Sequence, residues 1–205
     1  MTIRSHIGDL PSLEHYNVPA VAIDTETLGL QPHRDRLCVV QLSPGDGSAD
    51  VVQIRAGQAA PPNLCKLLTD PAVIKIFHFA RFDVAVLQNA FGVKTGPIYC
   101  TKIASKLVRT YTDRHGLKDL VRELLGVDLS KQQQSSDWGA DTLTAAQLDY
   151  AASDVLYLHD LRTRLDAMLA REGRTSLADE CFKFLGTRAA LDLAGWAEVD
   201  IFAHA

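Results

Sequence analysis

Apolar residues fall along this chain in two rhythms. Short continuous runs, such as Val21-Ala22-Ile23 and Val73-Ile74 resuming at Ile76-Phe77, sit between Pro, Gly and Asp punctuation. They predict strands over 19–24, 36–42, 49–54, 73–77 and, more briefly, 97–100. Elsewhere apolar positions recur every three or four residues. That spacing predicts helices over 62–69, 80–91, 101–109, 116–125, 144–171 and 176–193. Thr144-Ala145-Ala146-Gln147 has capping-box form and opens the longest of them. No element is predicted before residue 19. Three early strands followed by alternating elements predict an α/β fold, a mixed sheet flanked by helices.

Four acids interrupt these apolar patterns. Asp24 and Glu26 end the first predicted strand and, two apart, share one face, with Thr25 on the other. Asp83 falls on a helical stripe with Phe79, Val86, Leu87 and Ala90. In the long helix, the stripe through Leu158, Leu161, Leu165 and Met168 extends back to Asp154 and Tyr150, which are i and i+4 neighbours. Each acid also has a structural reading: a turn former or cap for Asp24 and Glu26, an acceptor at a strand-to-helix turn for Asp83, a tyrosine partner for Asp154. An ionised carboxylate on an apolar face is costly unless it is paired or holds a metal. The segments carry no matching set of buried cations, so together the four point to a divalent metal held by oxygen ligands.

In Asp24-x-Glu26, His78-x-Ala80-x-x-Asp83 and Tyr150-x-x-x-Asp154 the chain resembles the DEDD superfamily of 3′–5′ exonucleases, in the subgroup with a tyrosine in its last motif. Gln41, Lys131 and Ser136-Asp137-Trp138 are similar to ribonuclease D. The runs 24–36, 131–138 and 195–204 resemble the short stand-alone ribonuclease D relatives of alphaproteobacteria, the nanoRNase C group, and the likeness covers essentially the whole chain. The resemblance implies a ribonuclease H-like fold and 3′–5′ hydrolysis of short RNA, dinucleotides included, to nucleoside 5′-monophosphates. It implies two divalent ions, magnesium with manganese as substitute, held by Asp24, Glu26, Asp83 and Asp154, with Tyr150 orienting or deprotonating the attacking water. It also implies a substrate site using Thr25, Leu28 as a wedge between bases, His78 and Trp138. His78 reads equally as a capping or core histidine, and Trp138 as packing for its loop. The group further implies a homo-oligomer, an octameric ring with active sites facing a confined interior.

At 205 residues the chain suits a single domain over 1–205, a catalytic core of about 19–172 and a helical tail of about 175–205. No apolar stretch approaches the ~20 residues of a membrane helix, and Met1 to Leu13 lacks a signal-peptide core, so the cytoplasm is expected. Cys38, Cys65, Cys100 and Cys181 have neither zinc spacing nor a disulfide pattern and read as free buried thiols. The net charge of −4 disfavours tracking of long nucleic acid. The modest cluster of Lys102, Lys106, Arg109, Arg114, Lys118 and Arg122 reads mainly as a solvated helix face. Two other readings remain: an exonuclease trimming longer RNA or DNA ends, and a catalytically inactive nucleic-acid-binding scaffold. The unstructured stretch 127–142 is long for a compact domain and is expected near the substrate. Apolar Phe182, Leu185, Ala189, Leu193, Trp196, Ile201 and Phe202 either close the core or mark a subunit contact.

Overall fold

The computed structural model describes residues 2–130 and 132–204; Lys131, one of the residues that carry the resemblance, lies outside them. Six strands form one mixed sheet: β1 (Thr2–Ile7), β2 (Ala20–Thr27), β3 (Leu37–Ser43), β4 (Ser48–Gln53), β5 (Ile74–Phe77) and β6 (Ile98–Cys100). Their order is β1-β4-β3-β2-β5-β6. The pairs β2–β3 and β3–β4 are antiparallel, while β1–β4, β2–β5 and β5–β6 are parallel. The central strands are apolar on both faces because helices cover both. Val21, Ala22, Ile23, Val39 and Val40 are fully buried.

Among the described residues, seven α-helices surround the sheet: α1 (Pro62–Thr69), α2 (Ala80–Phe91), α3 (Thr101–Val108), α4 (Leu117–Leu125), α5 (Ala145–Leu156), α6 (Leu158–Arg171) and α7 (Thr175–Leu191). The capping box is present: the Gln147 amide N–H donates to Thr144 Oγ1, and the Thr144 N–H to Gln147 Oε1. The expected single helix over 144–171 is instead two, broken at Tyr157. Its halves have different main neighbours: α5 lies on β1 to β4, whereas α6 packs mainly against α3 and α4 and also meets α7, β5 and β2.

Three further expectations are corrected. Strand β1 occupies the N-terminal segment where no element was expected. Phe79 does not share the α2 stripe; it precedes the helix, has a left-handed backbone and is 45% exposed. Arg109 is not on a solvated face. It is fully buried, donating to Ser105 Oγ and the Arg114 carbonyl and bridging to Glu123. Lys75 is a buried cation within β5, but its ammonium is spent on the carbonyls of Asp70, Val73 and Gly96 rather than on the acids. All four cysteines are free, Cys38 and Cys100 buried and the other two half-buried. Phe182, Leu185 and Ala189 close the core, while Trp196, Val199, Ile201 and Phe202 beyond them are exposed. No helix among the described residues is long and apolar enough to cross a membrane.

Candidate active site

Strand β2 delivers Asp24 and Glu26 on one face at its C-terminal end. Its neighbour β5 leads through His78 and Phe79 into α2, whose first turn carries Asp83. Helix α5 crosses the sheet and brings Tyr150 and Asp154 to the same end. One carboxylate oxygen each from Asp24, Glu26 and Asp154 lies within 4.8 Å of the others. They line a cavity of about 300 Å³ with Tyr150, His78, Lys102 and Lys118. Asp83 stands just behind this trio. It is 3% exposed and accepts a 2.7 Å hydrogen bond from the Thr25 hydroxyl. The two faces of β2 thus serve one site: Asp24 and Glu26 open into the cavity, and Thr25 holds Asp83 from the other side.

Electrostatics show how unsatisfied this arrangement is. Burial raises the carboxyl pKa of Asp24, and the charges of Asp83, Asp154 and Glu26 raise it further. Burial and then Asp154 and Asp83 do the same to Glu26. Asp83 and Asp154 are pushed up by burial, against hydrogen bonds from Thr25 and Tyr150 respectively. The ion pairs among the described residues all lie elsewhere, at Asp35, Asp50, Asp119, Glu123, Asp166, Glu172, Glu180 and Asp192. Converging oxygen donors without a protein cation fit a hard divalent ion such as magnesium.

His78 lines the cavity as a neutral ring, its pKa lowered to about 3 by burial and then by Lys102. Thr101 Oγ1 donates to the Phe77 carbonyl at 3.2 Å, which leaves it to accept from His78 Nδ1 at 2.9 Å. His78 Nε2 is buried and meets no hydrogen-bond partner among the described residues. Trp138 takes the packing reading. It is 2% exposed among Cys38, Val39, Val51 and Ala151, with its ring 6.0 Å from that of Tyr150, and it backs the tyrosine rather than lining the cavity. Leu28 is 55% exposed just beyond β2. Thr25 has its hydroxyl committed to Asp83. From the 127–142 loop, Leu129, Ser130 and Gln134 reach the cavity. Lys102 and Lys118 were missed as cavity residues, because lysines on an amphipathic helix carry no mark that separates a solvated face from a cavity wall. Gln41 is fully buried opposite Asp24 in the β2–β3 register, and its amide donates to Asp24 Oδ2 at 3.2 Å.

Comparison with known proteins agrees with this geometry. Residues 12–170 match the 3′–5′ exonuclease family named DNA_pol_A_exo1. Ribonuclease D of Granulibacter bethesdensis is 38% identical over 165 residues, covering 79% of this chain and 40% of that protein. The chain thus spans about two fifths of the length of the curated relatives it matches. Two solved structures are similar over the full length of both chains: Brucella melitensis NrnC bound to pGG, at 67% identity and a TM-score of 0.98, and Brucella melitensis NrnC with bound Mg2+, at 66% and 0.97. The six-stranded mixed sheet flanked by helices is the DEDD exonuclease fold of these proteins. On sequence and fold alike, the chain belongs to the 3′–5′ exonuclease family, as a member of its ribonuclease D branch.

Proposed function

We propose that this protein is a divalent-metal-dependent 3′–5′ exoribonuclease that hydrolyses short RNA, dinucleotides included, to nucleoside 5′-monophosphates. The observation that carries the reading is the convergence of Asp24, Glu26 and Asp154 within 4.8 Å, beside Tyr150 and across a small cavity from Lys102 and Lys118. Asp24, Glu26 and Asp154 would hold magnesium, or manganese in its place, with Asp83 supporting a second ion through water. Bound ions would supply an activated water and charge stabilisation for the leaving oxygen.

The chain's own groups do the rest. Tyr150 stands beside the acids, where its hydroxyl orients or deprotonates the attacking water; burial and the carboxylates of Asp154, Glu26 and Asp24 raise the phenol pKa while no ion is bound, so proton removal would need the help of a bound ion. Trp138 behind the ring fixes its position. Lys102 and Lys118 face the acids with positive charge suited to substrate phosphate. His78, on the cavity wall, is placed to reach the sugar or phosphate of the substrate. Exposed Leu28 is placed to wedge between bases. NrnC with pGG, similar over its whole length, supports a substrate of dinucleotide length.

Residues 19–172 form the catalytic core of a single cytoplasmic domain, and the tail from 175 carries exposed apolar residues toward a homo-oligomer, an octameric ring. The test is a time course on 5′-labelled RNAs from two nucleotides upward, with DNAs alongside, in magnesium, manganese or chelator. Metal-dependent release of mononucleotides, with the dinucleotide cleaved at least as well as longer RNA, is expected. Strong preference for long RNA or DNA would favour the trimming exonuclease, and metal-independent or absent cleavage would overturn the reading.

A further inference from the structure

Among the described residues, Phe79 is the one non-glycine with a positive φ, +71°. A bulky side chain rarely adopts this region, and held there it is strained. The turn from β5 into α2 requires the left-handed conformation, but glycine or asparagine would meet that need with less strain. Core packing does not explain the choice of phenylalanine either, because the residue is 45% exposed.

Its ring is joined to the catalytic cavity through Lys102. Lys102 Nζ lies 4.3 Å from the ring centroid, and Lys102 also lines the catalytic cavity beside His78. Phe79 and Lys102 then line a second cavity of about 320 Å³, with Ile103, Phe184 and Leu185 as apolar wall and Lys106 on its rim. Arg81 and Arg188 also border it and share the one carboxylate of Asp192, so the cavity edge is net positive through them and through Lys102 and Lys106. An apolar surface with an aromatic face and a cationic edge, sharing a wall with the site of hydrolysis, matches a nucleobase joined to a phosphate.

We propose that Phe79 is a stacking platform for a substrate base next to the scissile phosphate, with Lys102 facing the phosphate that joins that base to the acids. The proposal rests on the exoribonuclease reading above. Stacking uses the π-face that every base has, so the platform serves any sequence and measures the presence of a base, not its identity.

The test compares an RNA dinucleotide with two analogues, each lacking one base but keeping its ribose. For the wild-type protein, kcat/KM falls roughly ten- to hundredfold when the stacked base is removed. Phe79→Asn, which keeps the left-handed turn, loses a similar factor on the intact dinucleotide and little more on that analogue, while Phe79→Trp restores cleavage. This coupling is what a merely structural role would not produce. Three results overturn the proposal: Phe79→Asn cleaving the intact dinucleotide as the wild type does, an equal loss on all three substrates, or a changed molecular mass by light scattering, which would make the cavity a subunit contact. A wild-type protein that cleaves no oligonucleotide refutes the exoribonuclease reading itself, and the platform with it.

Discussion

Gln41 and Asp24 face each other across the β2–β3 ladder, and the Gln41 amide donates to Asp24 Oδ2 at 3.2 Å. The bond holds one oxygen of the acid that stands with Glu26 and Asp154 in the cluster. Gln41 is fully buried and its own Oε1 has no partner, so its cost to the fold is uncompensated by packing alone. Gln41→Met keeps the volume and removes both the donor and the orphan acceptor. We expect unchanged or slightly higher thermal stability, with a roughly 10–100-fold loss in magnesium affinity or activity. Magnesium titration by calorimetry, set beside thermal melting, checks this; wild-type magnesium affinity would show that Asp24 needs no orientation.

Removing a charge from the acid cluster should separate stability from activity. In the metal-free protein, burial and then the charges of Asp83, Asp154 and Glu26 penalise an ionised Asp24 carboxylate. Asp24→Asn removes that penalty, so its metal-free melting temperature should rise by a few °C. Hydrolysis should be nearly abolished, and the stabilisation that magnesium gives the wild type should shrink. Wild-type turnover in Asp24→Asn would remove this cluster from the mechanism.

Tyr150→Phe keeps the ring on Trp138 and deletes the hydroxyl. Because the hydroxyl is placed to act on the attacking water, we expect the single-turnover rate to fall roughly 10²-fold with substrate affinity almost unchanged. A drop in affinity at constant bound-state rate would instead make Tyr150 a binding residue.

These residues differ in how openly the sequence displays them. Asp24, Glu26, Asp83 and Asp154 stand out because a charge on an apolar periodic face is an anomaly that spacing alone reveals. The bounds of α1 and α2 are legible because Pro62 opens one helix and Gly92 ends the other in a left-handed cap. What escapes is set by distant partners. Thr25 looks like an outward residue until Asp83, far along the chain, meets it. The break at Tyr157 leaves the helical period nearly intact, since it reflects which neighbours α5 and α6 have. Phe79 fits a helical stripe by spacing, and only backbone geometry takes it out of the helix.

Strand β1 escapes for the same reason, and it supplies the last prediction. Its sequence, Thr2-Ile3-Arg4-Ser5-His6-Ile7, has too little apolar surface to read as a strand. It is an edge strand tied to β4 through Asp50, which is 2% exposed. Arg4 donates twice to Asp50 at 2.7 Å, His6 Nε2 lies 2.7 Å from Oδ1, and Tyr16 donates to Oδ2 at 2.6 Å. Burial alone would raise the Asp50 pKa, but the hydrogen bonds from Arg4, Tyr16 and His6 outweigh it and hold the carboxyl at about 2. A carboxyl whose folded pKa lies below its ordinary value adds stability above that ordinary value, and the gain is lost as pH falls through the folded one. The window is therefore from about pH 4 down to pH 2, and the gain is at most about 2 kcal/mol, less for the exposed part of Arg4. Asp50→Asn should lower stability at pH 7 by roughly 2–3 kcal/mol and speed amide exchange in β1 before the rest of the sheet. Denaturant melts of both proteins from pH 7 to pH 2 check the sign. The gap between them should narrow below pH 4, and a gap that stays constant to pH 2 would show that shape, not charge, makes Asp50 the anchor of β1.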